Sequence, residues 1–305
     1  MSFFLGTALL AVVTAVACAL PGAFVVLRKN SMLVDAIGHS VFPGIVVGYF
    51  FTRDLDSPLL ILGAALAGLI VVLGSEWLAR TGLLSGDAPQ GLVFPALFSA
   101  GVILVTLNFG NVHLDTHAVL VGDLNLAAFE QLTVGGVHLG PRYLYVMLAV
   151  LLVDAAFIVA FLPQLTVSTF DPQFARTIGV RAGLLQASFM FLVSLTVTAA
   201  FNAAGAILVV ALVVVPAATA HLVTRRLPAM LALTVLIAAG GAVAGFGVAY
   251  RLGTATSASM AVFYGLLFAG VAVVARQRQS DDHRRRPRAV GGAPSSVRGG
   301  AQHPR

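Results

Sequence analysis

The longest apolar runs of the chain are the feature that most constrains its fold. Several stretches of 18 or more residues carry almost no charge, and 59% of the 305 residues are hydrophobic whereas only 10% are charged. A run of that length is sufficient to cross a bilayer as a helix. We therefore predict an all-α, polytopic transmembrane protein. Its single cysteine excludes a disulfide framework within one chain.

Polar breaks divide the chain into about nine spans, or eight if the runs that meet near residues 202–204 form one helix. The predicted spans are 3–27, 33–51, 59–79, 91–109, 143–162, 183–201, 205–223, 228–250 and 257–275. The stretch 276–305 is rich in Arg, Gly and Pro and has no periodicity. We therefore expect a transmembrane domain at 1–275 and a disordered cytoplasmic tail at 276–305.

The distribution of Lys and Arg predicts the orientation of the chain. With the N-terminus outside, the inner segments hold 15 of these residues and the outer segments hold three, Arg53, Arg142 and Arg251. Because cytoplasmic loops carry the excess of positive charge, we expect the N-terminus outside and the C-terminus in the cytoplasm. The basic charge is thereby explained without a nucleic-acid partner.

An acidic residue and a histidine lie four positions apart near the start of the second span, within 33–48. On a helix Asp35 and His39 would share one face, where a carboxylate oxygen and an imidazole nitrogen can bind one divalent cation. The alternative is that Asp35 caps the helix and His39 is a packing residue. Small residues beside the pair would let another helix approach closely. They are Gly38, Ser40, Gly44 and Gly48.

Other polar residues are weaker candidates for metal ligands. Asp154 lies inside the fifth span and could line a path, although a hydrogen bond to a neighbouring helix is the favoured interpretation. His221, near the inner end of the seventh span, is a candidate ligand of lower rank. Three residues at alternate positions could collect metal at an outer mouth or simply form a solvated loop, which we favour. They are His113, Asp115 and His117.

Two prolines and one loop complete the candidate sites. Pro43 and Pro216 each remove a backbone donor within a span, so each could break or kink its helix, and broken helices often line transport sites. In the loop 164–182, Asp171 before Pro172 is suited to cap a short helix. Such a helix could dock on a partner, or the segment could be an ordinary amphipathic loop.

Four stretches together resemble the permease subunits of the zinc, manganese and iron ABC importers, the ABC-3 family. The resemblance covers about residues 3–275, and Val121 stands where the family usually has Phe. The stretches are LRKNSMLVDAIGHSVFPG (27–44), LVGDL (120–124), FDPQFARTIGV (170–180) and GAILVVALVVVPAATA (205–220).

The resemblance implies a fold related to the large importers of cobalamin and iron chelates. It implies a homodimer, a cytoplasmic ABC ATPase dimer, an extracytoplasmic metal-binding protein and a bacterial-type cytoplasmic membrane with its lipid. The transported ion would be Mn²⁺ or Zn²⁺, or else Fe²⁺, with Asp35 and His39 in its path. The residues implied to couple the chain to the ATPase are Phe170, Asp171, Pro172, Phe174, Ala175, Arg176 and Gly179.

The chain lacks a Gly-x-x-x-x-Gly-Lys-Ser/Thr phosphate loop, so ATP hydrolysis is expected on a partner subunit and not on this chain. Three alternatives remain. An ion-coupled secondary transporter would use Asp35, His39 and Asp154 as a relay. A permease for a metal chelate would need a wider, apolar path. An intramembrane metalloenzyme is disfavoured, because the sequence has no His-Glu-x-x-His motif.

Overall fold

The computed structural model describes residues 3–54, 57, 59–108, 124–134 and 137–285. Within these ranges nine helices are long and apolar enough to cross a membrane, which confirms the predicted number of spans. The elements are α1 Phe3–Leu27, α2 Ser31–Thr52, α3 Leu59–Arg80, α4 Ala88–Asn108, α5 Leu124–Phe129, β1 Gln131–Val134, β2 Val137–Pro141, α6 Arg142–Phe170, α7 Pro172–Thr177, α8 Ala182–Ala204, α9 Ala206–Val223, α10 Leu227–Leu252 and α11 Thr256–Arg285.

The helix α1 lies at the centre of the bundle and packs against α6, α9 and α10. The helix α2 packs mainly against α3, with α4 and α8 as further neighbours. In the most apolar windows of α1 and α2, 67% of residues are buried, compared with 6% in α4 and 11% in α11. The bundle therefore has an enclosed centre, and α4 and α11 form its edges.

Small residues set the distance between α2 and α3. A Cβ atom added to Gly44 would lie 2.4 Å from the Cα atom of Ala64, which is too close for any side chain. Lipid tails are as apolar as the side chains of a transmembrane helix, so van der Waals packing between slim helices must hold the pair together. The predicted role of small residues in close helix packing is confirmed at Gly44.

The sequence predicts that the fifth span ends at Pro163, and α6 kinks two residues before this point, at Phe161, where the dihedral angles are non-helical with φ −110° and ψ 15°. The chain does not leave the helix there, because it is helical again after the kink as far as Phe170. The polar side chains after the proline fit within the helix, since Thr166 and Thr169 donate hydrogen bonds to carbonyls four residues earlier, at 2.7 and 2.6 Å. The predicted loop 164–182 therefore contains the end of α6, the helix α7 and a short turn before α8.

A two-stranded antiparallel hairpin, absent from the all-α prediction, precedes α6. Gln131 lies opposite Pro141 and Val134 opposite Val137, with an irregularity in register after Leu132. The polar character of this region indicated only that it does not span the membrane. A Gly-Gly pair at 135–136 between two valines is a hairpin signal that could have revealed the strands.

The expected helix breaks at Pro43 and Pro216 are absent from the described structure. Each proline lies inside a helix that continues on both sides of it. A Cβ atom added to Gly101 of α4 would lie 2.6 Å from the Cβ atom of Pro43, so the proline ring is tightly packed. Neighbouring helices can support a membrane helix that lacks one backbone hydrogen bond, which explains why neither proline interrupts its helix.

The last helix does not stop where the tail is predicted to begin. The predicted tail begins at residue 276, whereas the helix continues to Arg285. Residues 286–305 lie outside the described residues. The separation of a transmembrane domain from a tail at residue 275 stays a prediction.

Candidate functional site

Asp35 and His39 lie on one face of α2, in its second and third turns. Their Oδ1 and Nε2 atoms are 3.8 Å apart, so the predicted proximity of the two side chains is confirmed. Half of the Asp35 side chain and 40% of the His39 side chain are exposed, although most of the neighbouring positions on α2 are buried. Within residues 33–44 of α2, every position is buried except Asp35 and His39, the only acidic residue and the only histidine of this helix.

The helix α4 forms one wall beside the pair. The imidazole of His39 stacks on the ring of Phe94, with centroids 5.3 Å apart and planes 17° from parallel. Between the two residues in sequence, a Cβ atom added to Gly38 would lie 2.7 Å from the ring of Phe201. The stack limits the rotation of the imidazole, and the close packing at Gly38 restricts the backbone that carries both side chains.

A carboxylate oxygen and an imidazole nitrogen form a mixed ligand pair that suits Zn²⁺ and Mn²⁺. Two side chains do not fill the coordination sphere of either ion. Among the residues that the structure describes, no group of three or more His, Cys, Asp or Glu side chains could hold a metal. Further ligands would have to come from outside this set, such as water or a second chain.

Asp154 has very different surroundings. It is 2% exposed, and its Oδ2 atom accepts a hydrogen bond of 2.6 Å from the hydroxyl of Thr196 on α8. The favoured interpretation from sequence, a hydrogen bond between neighbouring helices, is thereby confirmed. Asp154 and Asp35 belong to no common group of three or more possible metal ligands in the described part of the chain.

Of the remaining candidate ligands, His221 forms no group of three or more possible ligands with the pair in the described part of the chain. His221 lies in the last turn of α9 and is exposed. The predicted outer-mouth residues His113, Asp115 and His117 lie outside the described residues. The pair on α2 is therefore the strongest candidate metal site in the part of the chain that the structure describes.

A short helix, α7, forms within the predicted coupling segment. The Oδ1 atom of Asp171 accepts a hydrogen bond of 2.9 Å from the amide of Phe174, and Pro172 occupies the first turn, as predicted. Gly179 ends the segment with φ +81°, a conformation that favours glycine. This geometry places the remaining predicted coupling residues, Ala175 and Arg176, inside the helix.

The apolar face of α7 is open. Phe170, Phe174 and Ile178 are each more than half exposed, whereas Ala175 is buried against the rest of the chain. A short, capped helix that carries one large exposed apolar side chain and is flanked by two more has the form of a docking element. Its role in coupling stays a prediction.

The chain is similar to known proteins over most of its length. The ABC 3 transport family matches residues 1–275. The chain is a member of the ABC 3 transport family. Among curated relatives, it is 44% identical to the zinc transport system membrane protein TroD of Treponema pallidum, over 86% of this chain and 71% of the relative. It is 39% identical to the manganese transport system membrane protein MntD of Bacillus subtilis, over 85% and 87% of the two chains.

The fold of this ABC 3 family chain is also found in a solved structure. PsaBC from Streptococcus pneumoniae in complex with Fab superposes with a TM-score of 0.72 at 23% identity, over 89% of this chain and 91% of that chain. At this identity the likeness supports the fold alone. The predicted family and the predicted multi-pass helical architecture are both confirmed.

Sequence analysis missed two contacts at the candidate sites of this ABC 3 family member. Phe94 lies on a different helix from the histidine that it stacks on, and Thr196 is 42 residues from the aspartate that it binds. Neither partner lies at helical spacing from its target, so no periodicity in the sequence points to it. Only the packing of the helices brings these side chains together.

Proposed function

We propose that the chain is the membrane permease subunit of an ATP-driven importer of divalent transition metal ions, with Mn²⁺ or Zn²⁺ as the substrate. Membership of the ABC 3 transport family supports the class, and relatives named as zinc and manganese transport system membrane proteins support the substrate. The observation that carries the proposal is the pair of Asp35 and His39, the two accessible positions within the otherwise buried stretch 33–44 of a transmembrane helix.

The pair would act as a transient site in the translocation path. A path ligand must bind the ion firmly enough to strip part of its hydration, yet release it within one transport cycle. Two ligands from one chain, supplemented by water or by a second copy of the chain, meet both requirements. The exposed helix α4, which forms one wall beside the pair, supports a homodimer in which a second copy encloses this region.

The positive charge supports an orientation in a bacterial-type cytoplasmic membrane. The exposed Arg225 and Arg226 at the α9–α10 turn and Arg176 on α7 would lie in the cytoplasm, with the N-terminus outside. The exposed apolar face of α7 would then meet a cytoplasmic ATPase subunit, which binds and hydrolyses ATP. An extracytoplasmic binding protein would deliver the metal to the outer ends of the helices.

The decisive experiment measures metal uptake by vesicles that contain the chain with its ATPase and binding protein. We expect Asp35→Asn and His39→Ala each to abolish or greatly reduce uptake of radiolabelled Mn²⁺ and Zn²⁺ at matched protein amounts. The double variant should be little worse than either single variant, because both changes disable one unit. His221→Ala, which removes an exposed histidine from α9, serves as the control and should retain uptake.

The pH dependence of metal uptake provides a second test of the same site. A proton and a metal ion compete for the imidazole lone pair, so metal uptake should fall as the pH is lowered. Near-normal uptake by Asp35→Asn and His39→Ala would show that this pair is not the metal site. Uptake by vesicles that lack the ATPase would instead favour an ion-coupled secondary transporter.

The coupling role of α7 has its own test. Phe174→Ala removes an exposed apolar side chain, and burial of a Phe against a partner contributes roughly 1.5–3 kcal/mol. We expect weaker copurification with the ATPase, or ATP hydrolysis that no longer drives uptake, with the permease still folded. Leu222→Ala at the end of α9, where a large side chain is also exposed, is the control. Normal copurification and normal uptake by Phe174→Ala would exclude this side chain from the interface.

A further inference from the structure

Arg28 lies in the turn between α1 and α2 and contacts the segments on both sides of α7. Its Nε atom donates to the hydroxyl of Thr169 at 3.0 Å, and its Nη2 atom donates to the hydroxyl of Ser168 at 3.2 Å. Its Nη1 atom donates to the Oε1 atom of Gln186. Ser168 and Thr169 end α6 just before α7, and Gln186 lies near the start of α8 just after it.

The acceptors are arranged for the guanidinium. The hydroxyls of Ser168 and Thr169 both donate to the carbonyl oxygen of Leu165, at 3.1 and 2.6 Å, which leaves their lone pairs free to accept from Arg28. The buried ring of Phe189 on α8 lies 5.1 Å from the Cζ atom of Arg28. A planar cation with several donors can satisfy such a set at once, whereas a lysine ammonium cannot.

The guanidinium is charged at neutral pH despite its burial. Burial lowers the pKa of Arg28 to about 10, and the negative charge of Glu76 on α3 opposes this shift. A charged side chain that is partly withdrawn from water requires its hydrogen bonds, since a lost partner leaves the charge uncompensated. The Arg28 contacts therefore favour one arrangement of the three segments over others.

The turn that carries Arg28 is itself rigid. The amide of Asn30 donates to the carbonyl of Val25, and the amide of Lys29 donates to the carbonyl of Val26, both at 3.0 Å. Lys29 adopts φ 59°, which completes a helix-ending motif that is usually built on glycine. The helix α2 begins directly after this turn, at Ser31, so a hydrogen-bonded turn joins Arg28 to α2.

We propose that Arg28 is a positioning residue for transport: it ties both ends of the α7 segment to the start of α2, so that movement of α7 reaches the Asp35 and His39 pair. This inference rests on the proposed transport function and on the docking role proposed for α7. It assigns to one side chain the mechanical connection between the cytoplasmic face and the metal path.

The test compares ATP hydrolysis and metal uptake in the same vesicles, which contain the complete complex and are supplied with Mn²⁺ or Zn²⁺. Arg28→Gln should retain ATP hydrolysis, while the metal moved per ATP falls by about tenfold or more, the loss expected from one charged hydrogen bond. Arg28→Lys should fall similarly, because a lysine ammonium cannot hold both segments. Arg226→Gln, which changes an exposed arginine at the α9–α10 turn, is the control and should behave as the wild type.

Substitution of the residues that accept hydrogen bonds from Arg28 tests the same proposal independently. Thr169→Val and Gln186→Leu should each lower the metal moved per ATP, and neither should add to the effect of Arg28→Gln. If Arg28→Gln does not accumulate in the membrane, these two variants carry the test. Normal coupling in all of them would overturn the proposal. So would a parallel loss of uptake and hydrolysis that follows the amount of folded complex, which indicates a purely structural role.

A distance measurement separates this inference from the proposed function. In the Cys18→Ala background, spin labels at Met32→Cys on α2 and Thr177→Cys on α7 report the separation of the two helices, and both positions are exposed. We expect a narrow distribution of distances in the complete complex that broadens in Arg28→Gln, whether or not either metal is transported. An unchanged distribution would overturn the role of Arg28. Absence of Mn²⁺ and Zn²⁺ uptake by the wild type would instead reject the proposed substrate.

Discussion

Two acidic side chains of the membrane-spanning helices, Asp35 and Asp154, have opposite surroundings. Asp35 is half exposed and faces an imidazole at 3.8 Å, a distance too long for a hydrogen bond. Asp154 is 2% exposed and accepts a hydrogen bond of 2.6 Å from Thr196. Both residues are carboxylic acids within apolar helices, so their chemistry alone does not distinguish them.

The difference teaches how an intramembrane acid can be assigned a role. Asp154 is shielded by packing and already has a close donor, so a hydrated cation has no access to it. Asp35 keeps accessible oxygen atoms beside a second ligand type, which is the condition for binding a cation. Residue type marks a candidate in a membrane helix, and accessibility together with hydrogen bonding then decides whether it binds a substrate or holds two helices together.

The largest difference is expected when Asp35 and Asp154 are each replaced by Asn. Asp35→Asn should lower metal uptake by roughly tenfold or more, since even the outer contacts of metal ligands contribute about that much. Asp154→Asn keeps an oxygen that can accept from Thr196, so uptake at matched protein amounts should stay near the wild-type level. Uptake of Mn²⁺ and Zn²⁺ by vesicles measures both. Equal loss in the two variants, with both proteins intact, would remove the distinction.

A substitution on α2 where it packs against α3 should lower the free energy of unfolding. Gly44→Ala places a Cβ atom 2.4 Å from the backbone of α3, so the helices must separate. We expect a cost of about 2–3 kcal/mol in the free energy of unfolding, typical of overpacking, measured in mixed micelles with a denaturant. Gly240→Ala is the control, because no atom of another described helix lies within 4 Å of the added Cβ atom. A Gly44→Ala protein as stable as wild type would show that α2 is not held by this contact.

A smaller loss of stability is expected when the hydrogen bond between Thr196 and Asp154 is removed. Thr196→Val preserves the shape of the side chain but removes the hydroxyl that donates to Asp154. The unfolding free energy should fall by roughly 1–2 kcal/mol, while uptake per folded protein is unchanged. Thr106→Val on α4 removes an exposed hydroxyl that donates only within its own helix, and it should change stability by less than about 0.5 kcal/mol. Lost uptake without lost stability in Thr196→Val would place Asp154 in the path.

Local sequence patterns predicted the helices and the proximity of Asp35 and His39, because hydropathy and helical spacing act over short distances. The 3.8 Å separation of Asp35 and His39 follows directly from their positions four residues apart on one helix. The end of α6 could not be predicted from polarity, since the hydroxyls of Thr166 and Thr169 bind their own helix. The contact of Arg28 with Gln186 spans 158 residues and depends on how α1 and α8 pack.

The kink at Phe161 divides α6, so that the part from Phe161 to Phe170 can tilt as one rigid arm. Nine residues separate Phe161 from Phe170, which at 1.5 Å per residue gives an arm of roughly 14 Å. A tilt of about 10° at the kink would carry the end of this arm by roughly 2–3 Å, far enough to break a hydrogen bond. Because Ser168 and Thr169 lie near the tip, a small rotation deep in the membrane is enlarged where the arm meets Arg28.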